Sequence, residues 1–522
     1  MIREISRRKC LRLWLCKPEY MGRTKWENRF VLLRFRKKNY MMFLKDLKRF
    51  KMERLYDKLK AYSESDFYAF HMPGHKRNKA LLGIELPYDL DITEIDGFDD
   101  LHHADGILKE EQERAARVFG AEESHFLVNG STAGILSAVM GCTHRGDKIL
   151  VARHCHKSIY HAIYMNGLVP RYVYPEFDIS MHMNGEIRKE DVAKALAAEP
   201  DIKAVVIVSP NYDGVVSDVK GIAEVAHSYR IPLIVDEAHG PHFGFHPAFP
   251  GRANDLGADV VINSLHKTLP SLTQTAILHI NGKIVNRRRI KKYLDMLQSS
   301  SPSYIFMASL DACVDFVDGK CENAFELYVE RLQKFREELE PLQHLQILRT
   351  EHYDISKVVI STANANITSP ELADRLRKEY HLEMEMTGGT YVLAMTTVAD
   401  TQEGLDRLKA ALLEIDGQLE AKTAVSGSIE ISGEFPRLEQ YFTPQEAADR
   451  EEDGEAEEIP WKESEGHISL EYAYLYPPGS PVIVPGERIS REAVELLRYY
   501  ETQNLQIEGI QTEGKIKVWK HE

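Results

Sequence analysis

Cysteine is scarce in this chain, six in 522 residues, and Cys10, Cys16, Cys142, Cys155, Cys313 and Cys321 form no Cys-x-x-Cys pair. That usage excludes a disulfide framework and fits free thiols in a reducing cytoplasm, the compartment expected. No apolar run approaches the roughly 18 residues of a membrane helix, so no membrane partner is expected. No Gly-x-Gly-x-x-Gly follows a strand and no Walker-type lysine loop is present, which leaves dinucleotides and nucleoside triphosphates without support. Positive charge is in deficit: 66 Lys and Arg face 80 Asp and Glu, a formal net charge of −14. This argues against nucleic acid as a partner and modestly favours a cationic ligand.

The charge is uneven. Residues 1–51 hold 17 Lys and Arg against 4 acids. A basic arm for anionic lipid or nucleic acid is one reading, but arginines interrupt every stretch that would serve as a signal-peptide core. The simpler expectation is a disordered extension or a start-site artefact, with translation beginning at Met41, Met42 or Met52.

From Met52 the text is globular. "HFLVNG", "DKILVAR", "KAVVIVSP", "IPLIVDEAHG" and "ADVVINSLHK" are short apolar runs separated by helical stretches such as "DVKGIAEVAHSYR". Little alternation within the runs predicts a mainly parallel sheet covered on both faces, an α/β fold. Sites in such sheets form outside the carboxyl ends of the strands. The polar clusters fall there: Asn129 to Thr132, His154 to Ser158, Ser209 to Asp213, Asp236 to His239 and Ser264 to Lys267. A shared ligand explains five such loops. Beyond residue 331 the α/β texture resumes in a smaller unit, followed by an acidic segment, "PQEAADREEDGEAEEIPWKESEG", expected to be a solvated linker.

Three features carry chemistry. "VNGSTAGI" sets Ser131 and Thr132 at a helix start, where free N–H groups suit a phosphate; a hydroxyl capping its own helix is the plainer reading. Asp236 ends an apolar strand, where an ionised carboxylate needs a partner such as a protonated ring nitrogen or an arginine. Lys267 leaves a strand in "VVINSLHKTLPSLTQTA", and a half-buried lysine with a lowered pKa can attack an aldehyde. A phosphate cradle, an acid for a ring nitrogen and a nucleophilic lysine are the anchors that pyridoxal 5′-phosphate requires.

"SLHKTLPSLTQTA" resembles the cofactor-lysine segment of the bacterial Orn/Lys/Arg decarboxylase family, members of the aspartate-aminotransferase fold type. Further blocks extend the resemblance along most of the chain from residue 52: "FHMPGHK", "DITEIDGFDDLHHADGILKEEQERAARVFGAEESHFLVNGSTAGI", "HKSIYHA", "SPNYDGVVSD", "VDEAHGPHFGFH", "SSSPSYIFMASLDA" and "YPPGSPVIVPGE". It implies a fold type I large domain with a seven-stranded-type, mainly parallel sheet over 99–330. An N-terminal segment over 52–98, a small α/β domain over 331–420 and a C-terminal domain over 421–522 complete the division. No counterpart of the larger members' N-terminal wing precedes Met52, so a homodimer or small oligomer is expected.

Carried over by motif, the resemblance makes Lys267 the cofactor-bearing lysine and Asp236 the partner of the pyridine nitrogen. Ser131, Thr132, Ser264 and His266 resemble the phosphate set. His156 resembles the imidazole that stacks on the ring, Ala238 packs on the other face, and His239 reaches the phenolic oxygen. Lys267, His156 and Asp236 are the catalytic candidates. The implied reaction is decarboxylation of arginine, lysine or ornithine to an amine on a polyamine route, with arginine favoured by likeness to the wingless forms. Glu487 in "VPGERIS" is the candidate for the substrate's distal cation, with Asp96 behind it. Ser303, in the loop Ser300 to Tyr304, resembles a segment that approaches the neighbouring subunit's site. The rivals are an aminotransferase or lyase on the same fold, and a non-catalytic binding or regulatory subunit. The histidines His71, His75, His102 and His103 lack further ligands at zinc-like spacing, so no metal is expected.

Overall fold

The computed structural model describes residues 54–81, 83–178, 183–422, 435–475, 479–503 and 505–520. The expectation for residues 1–51 lies outside them. Seven strands build the central sheet: β1 (Glu123–Leu127), β2 (Lys148–Ala152), β3 (Val169–Val173), β4 (Val205–Val208), β5 (Leu233–Asp236), β6 (Val260–Asn263) and β7 (Ala276–Ile280). Their order across the sheet is β1-β7-β6-β5-β4-β2-β3. The pairs β2–β3, β2–β4, β4–β5 and β5–β6 are parallel, and β7 alone runs against its neighbours β6 and β1. The sheet is mainly parallel, as the unbroken apolar runs predict. Every residue of β4, β5, β6 and β7 is buried, which an antiparallel sheet with one wet face would not allow.

Helices cover the sheet. Gly130–Cys142, Lys157–Met165, Lys189–Ala198 and Val219–Ser228 follow β1, β2, β3 and β4 in turn. Residues of these helices and of the strands share one apolar core that includes Ile135, Ile159, Val192 and Ile222. A second core joins the long helices Tyr304–Val317 and Glu322–Glu338 to a smaller antiparallel sheet. That sheet holds β8 (Gln346–Ile347), β9 (Lys357–Ser361), β10 (Met386–Thr387) and β11 (Tyr391–Met395), in the order β8-β9-β11-β10.

The acidic segment is ordered rather than a linker. Pro444–Glu452 is a helix opened by a capping box between Thr443 and Glu446. Ala456–Pro460 is a strand paired antiparallel with Lys515–Trp519. The acids sit on its exposed face, so their density reports solvent exposure and not disorder. Lys517 reaches Glu451 at 2.5 Å, and Trp519 Nε1 donates to Glu455 at 2.9 Å.

Candidate active site

Because β7 is the sole reversed strand, β1, β2, β4, β5 and β6 all end on one rim of the sheet. Their exits line a cavity of about 300 Å3. Gly130, Ser131 and Thr132 come from the exit of β1. His154 and His156 follow β2, and Asn211, Tyr212 and Asp213 follow β4. Asp236, Ala238 and His239 close β5, and Ser264, His266 and Lys267 follow β6. Nine of the sequence-derived positions therefore meet in one place.

At the β1 exit the chain turns sharply, with Gly130 at φ +72°, a conformation that favours glycine. The helix Gly130–Cys142 starts there without a side-chain cap, because the Asn129 amide oxygen accepts from Ser299 N at 3.1 Å instead. The first-turn N–H groups are thus left for a ligand. Ser131 Oγ lies 2.5 Å from Ser264 Oγ, pinning two hydroxyls from different strand exits side by side. His266 Nδ1 donates to the Thr275 carbonyl at 2.9 Å, which fixes its tautomer.

Asp236 is buried, and among the described residues it accepts from Ala238 N at 3.1 Å. Burial pushes its carboxyl up, opposed by the charge of Lys267. A carboxylate so placed fits a cationic ring nitrogen. Lys267 Nζ stands 2.9 Å from His239 Nε2, and burial draws this lysine down from its ordinary range. The amine is thereby biased toward the neutral, nucleophilic form. His156 caps the helix Lys157–Met165, its Nδ1 accepting from Ser158 N at 3.2 Å, and still lines the cavity. Burial, then the Lys267 charge, holds it down to about 4. A neutral ring accepting at Nδ1 carries its proton on Nε2. The donor set therefore fits pyridoxal phosphate: anion-binding N–H groups, a buried acid and a nucleophilic amine on one cavity.

The three substrate positions fall elsewhere. Glu487 does not line the cavity: it is buried against Arg153, with Oε2 2.8 Å from Nη2, and it also accepts from Val484 N. A glutamate already neutralised by an enclosed guanidinium is not available to a substrate cation. Asp96 is exposed. Ser303 caps the helix Tyr304–Val317 by accepting from Phe306 N. Neither lines the cavity of its own chain. His71 contacts Tyr62 and His75 contacts Asp91.

Sequence reasoning gave no role to His154, Tyr212, Asp213, Asn184 or Ser480, all cavity-lining. Tyr212 and Asp213 stood in a strand-exit cluster, a usable signal. Lys357 gave none. It opens β9 in the other sheet, and its Nζ reaches His239 Nδ1 at 2.9 Å.

Comparison with known proteins agrees with this arrangement. The family model "Orn/Lys/Arg decarboxylase, major domain" matches residues 53–421, and "Orn/Lys/Arg decarboxylase, C-terminal domain" matches 433–514. The arginine decarboxylase of Bacillus subtilis is 33% identical over 471 residues, covering 87% of this chain and 95% of that protein. That of Bacillus anthracis is 32% identical over 487 residues, covering 89% and 97%. The crystal structure of the Francisella novicida lysine decarboxylase LdcF superposes with a TM-score of 0.77 at 20% identity, covering 92% of this chain and 83% of its own, a likeness of fold. With the family model spanning most of its length and a third of its residues shared with a full-length relative, the chain belongs to the Orn/Lys/Arg decarboxylase family.

Proposed function

We propose that the cavity binds pyridoxal 5′-phosphate and that the protein decarboxylates a basic amino acid, arginine before lysine or ornithine. The observation that carries this reading is the convergence of Lys267, Asp236 and the uncapped helix start at Gly130 on one cavity. Relatives named arginine decarboxylase, matched over nearly their whole length, support arginine.

The bound cofactor supplies an electron sink for the pair left when carbon dioxide departs. The chain's own residues do the rest. N–H groups at Ser131 and Thr132, with the paired hydroxyls of Ser131 and Ser264 and the His266 ring, hold the phosphate. Asp236 keeps the ring nitrogen protonated. His156 offers a neutral face for the ring, and buried Ala238 leaves room on the opposite side. His239, beside Lys267, would serve the phenolic oxygen. Decarboxylation consumes one proton at the reacting carbon; Lys267 Nζ would supply it as the ammonium, and His156 Nε2 would do so only from the protonated ring.

A homodimer completes the site in this reading. Phe67, Tyr68, Phe70 and Met72 are 68%, 69%, 89% and 66% exposed, four apolar side chains within six positions that suit a second copy. Asp96 and Ser303 then serve the neighbouring cavity. The test is direct: purified protein loaded with pyridoxal phosphate is given each of the three amino acids, and carbon dioxide and the amine are measured. Arginine turned over fastest supports the proposal. No carbon dioxide from any of them, with consumption of a keto acid, overturns it in favour of an aminotransferase.

A further inference from the structure

His239 lies between two lysines. Lys267 Nζ is 2.9 Å from its Nε2, and Lys357 Nζ is 2.9 Å from its Nδ1. The two amines come from different sheets, one after β6 and one at the head of β9. Lys357 is fully enclosed. The Tyr212 ring packs on the imidazole with centroids 4.5 Å apart. Lys357 reaches this place over Gly214, where an added Cβ would stand 2.7 Å from the lysine's Cγ.

Counting protons decides what such a row can be. Burial and the two flanking lysines keep His239 neutral. A neutral imidazole donates from one nitrogen and accepts at the other, and an ammonium has no lone pair with which to accept. Both contacts are therefore satisfied only when the lysine that faces the imidazole N–H is a free amine, while the lysine that faces the bare nitrogen donates and can carry the charge. The surroundings choose which. Lys357 is faced by Asp354, Asp213 and Glu385 as well as by Lys267, and burial brings it down to about 8, so it is charged at neutral pH. Asp354 is itself held ionised by His242 and Ser356. Lys267 is faced by Asp236 and Glu385, with His156, His239 and His266 around it. Asp236 is the acid that a bound pyridine nitrogen would claim.

We propose that Lys357 is a positioning residue for Lys267: it carries the positive charge of a Lys357–His239–Lys267 relay, leaves Lys267 its lone pair for the cofactor aldehyde, and returns a proton to Lys267 on demand. The transfer balances. One proton passes from Lys357 Nζ to His239 Nδ1 while the Nε2 proton passes to Lys267 Nζ. Lys357 ends neutral, Lys267 ends as ammonium, and the imidazole stays neutral in its other tautomer. The inference rests on the reading of Lys267 as the cofactor-bearing lysine.

The test follows attachment rather than turnover alone. Cofactor-free protein is mixed with pyridoxal phosphate across a pH series, and the growth of the near-visible band of lysine-bound pyridoxal is timed. In Lys357→Met the neighbouring cation is gone, so the pH of half-maximal attachment rises by about one unit and the rate at neutral pH falls about tenfold. His239→Phe removes the N–H that engages the Lys267 lone pair and moves the midpoint the same way; it decides the matter if Lys357→Met does not fold. Lys357→Arg keeps a charge that never leaves. Its midpoint returns to that of the wild type, while turnover stays down about tenfold or more because no proton is handed on. An unmoved midpoint in Lys357→Met or His239→Phe overturns the relay, and full turnover in Lys357→Arg overturns the proton transfer. A wild-type protein that develops no band at any pH instead overturns the cofactor assignment.

Discussion

Arg153 and Glu487 form an enclosed ion pair, Nη2 to Oε2 at 2.8 Å, between the exit of β2 and the C-terminal segment. Arg153 Nη2 also donates to the Val482 carbonyl, and its guanidinium lies 4.7 Å from the centroid of the Tyr172 ring. Neither partner is reached by solvent, so removing one strands the other's charge in a low-dielectric interior. Glu487→Ala should cost about 3–5 kcal/mol of stability in a urea titration. An unchanged midpoint together with a raised KM for the amino acid would return Glu487 to the substrate site.

Asp236 bears directly on the chemistry. In the proposed reading its buried carboxylate would hold the ring nitrogen protonated, and an amide cannot do so. Asp236→Asn should lower kcat by about a hundredfold or more while leaving the near-visible band of attached cofactor in place. Turnover within a factor of a few of wild type would refute the assignment.

These two carboxylates mark how far the sequence could be read. Asp236, Lys267 and the Ser131–Thr132 pair stand at the ends of apolar strands, and a parallel sheet brings strand ends to one rim whatever the details of packing. Both the fold class and the cavity were therefore visible in strand text alone. Glu487 stands in a proline-rich loop whose destination depends on tertiary packing, and the sequence offers no means of pairing it with Arg153, 334 positions away. Lys357 was hidden for the same reason: it begins a strand of a second sheet, and only the docking of the two sheets brings it to His239. The acidic run beyond residue 444 misled because composition measures charge, whereas the capping box at Thr443 and the pairing with Lys515–Trp519 decide order.

Gly214 holds the space that Lys357 uses. Its φ of +107° is a conformation that residues with side chains rarely adopt, and a Cβ there would stand 2.7 Å from Lys357 Cγ and 2.9 Å from Lys357 Cβ. Gly214→Ala should lose about 1–3 kcal/mol from backbone strain. It should also displace the lysine, moving the pH midpoint of cofactor attachment in the direction expected for Lys357→Met. A destabilised variant with an unmoved midpoint would separate the strain from the lysine's position.

Glu237, next to Asp236, predicts a pH dependence of stability with a definite sign. Its side chain is enclosed, accepting from Ala253 N at 2.8 Å and from Asn263 Nδ2 at 3.0 Å. Burial pushes its carboxyl up to about 8 from the ordinary 4.5. Between these values the folded protein keeps a proton that the unfolded chain has already released. The native state therefore binds more protons, and the group's contribution is full below about 4.5 and lost as pH rises through 8. Glu237→Gln, neutral throughout and close in shape, removes this dependence. Urea titrations of the two proteins should agree below about pH 4.5, diverge progressively between 4.5 and 8, and run parallel above that, with the variant more stable by about a few kcal/mol in alkali. Parallel stability curves across the range would mean that Glu237 ionises in the folded state as it does in water, and that the enclosure around it admits solvent.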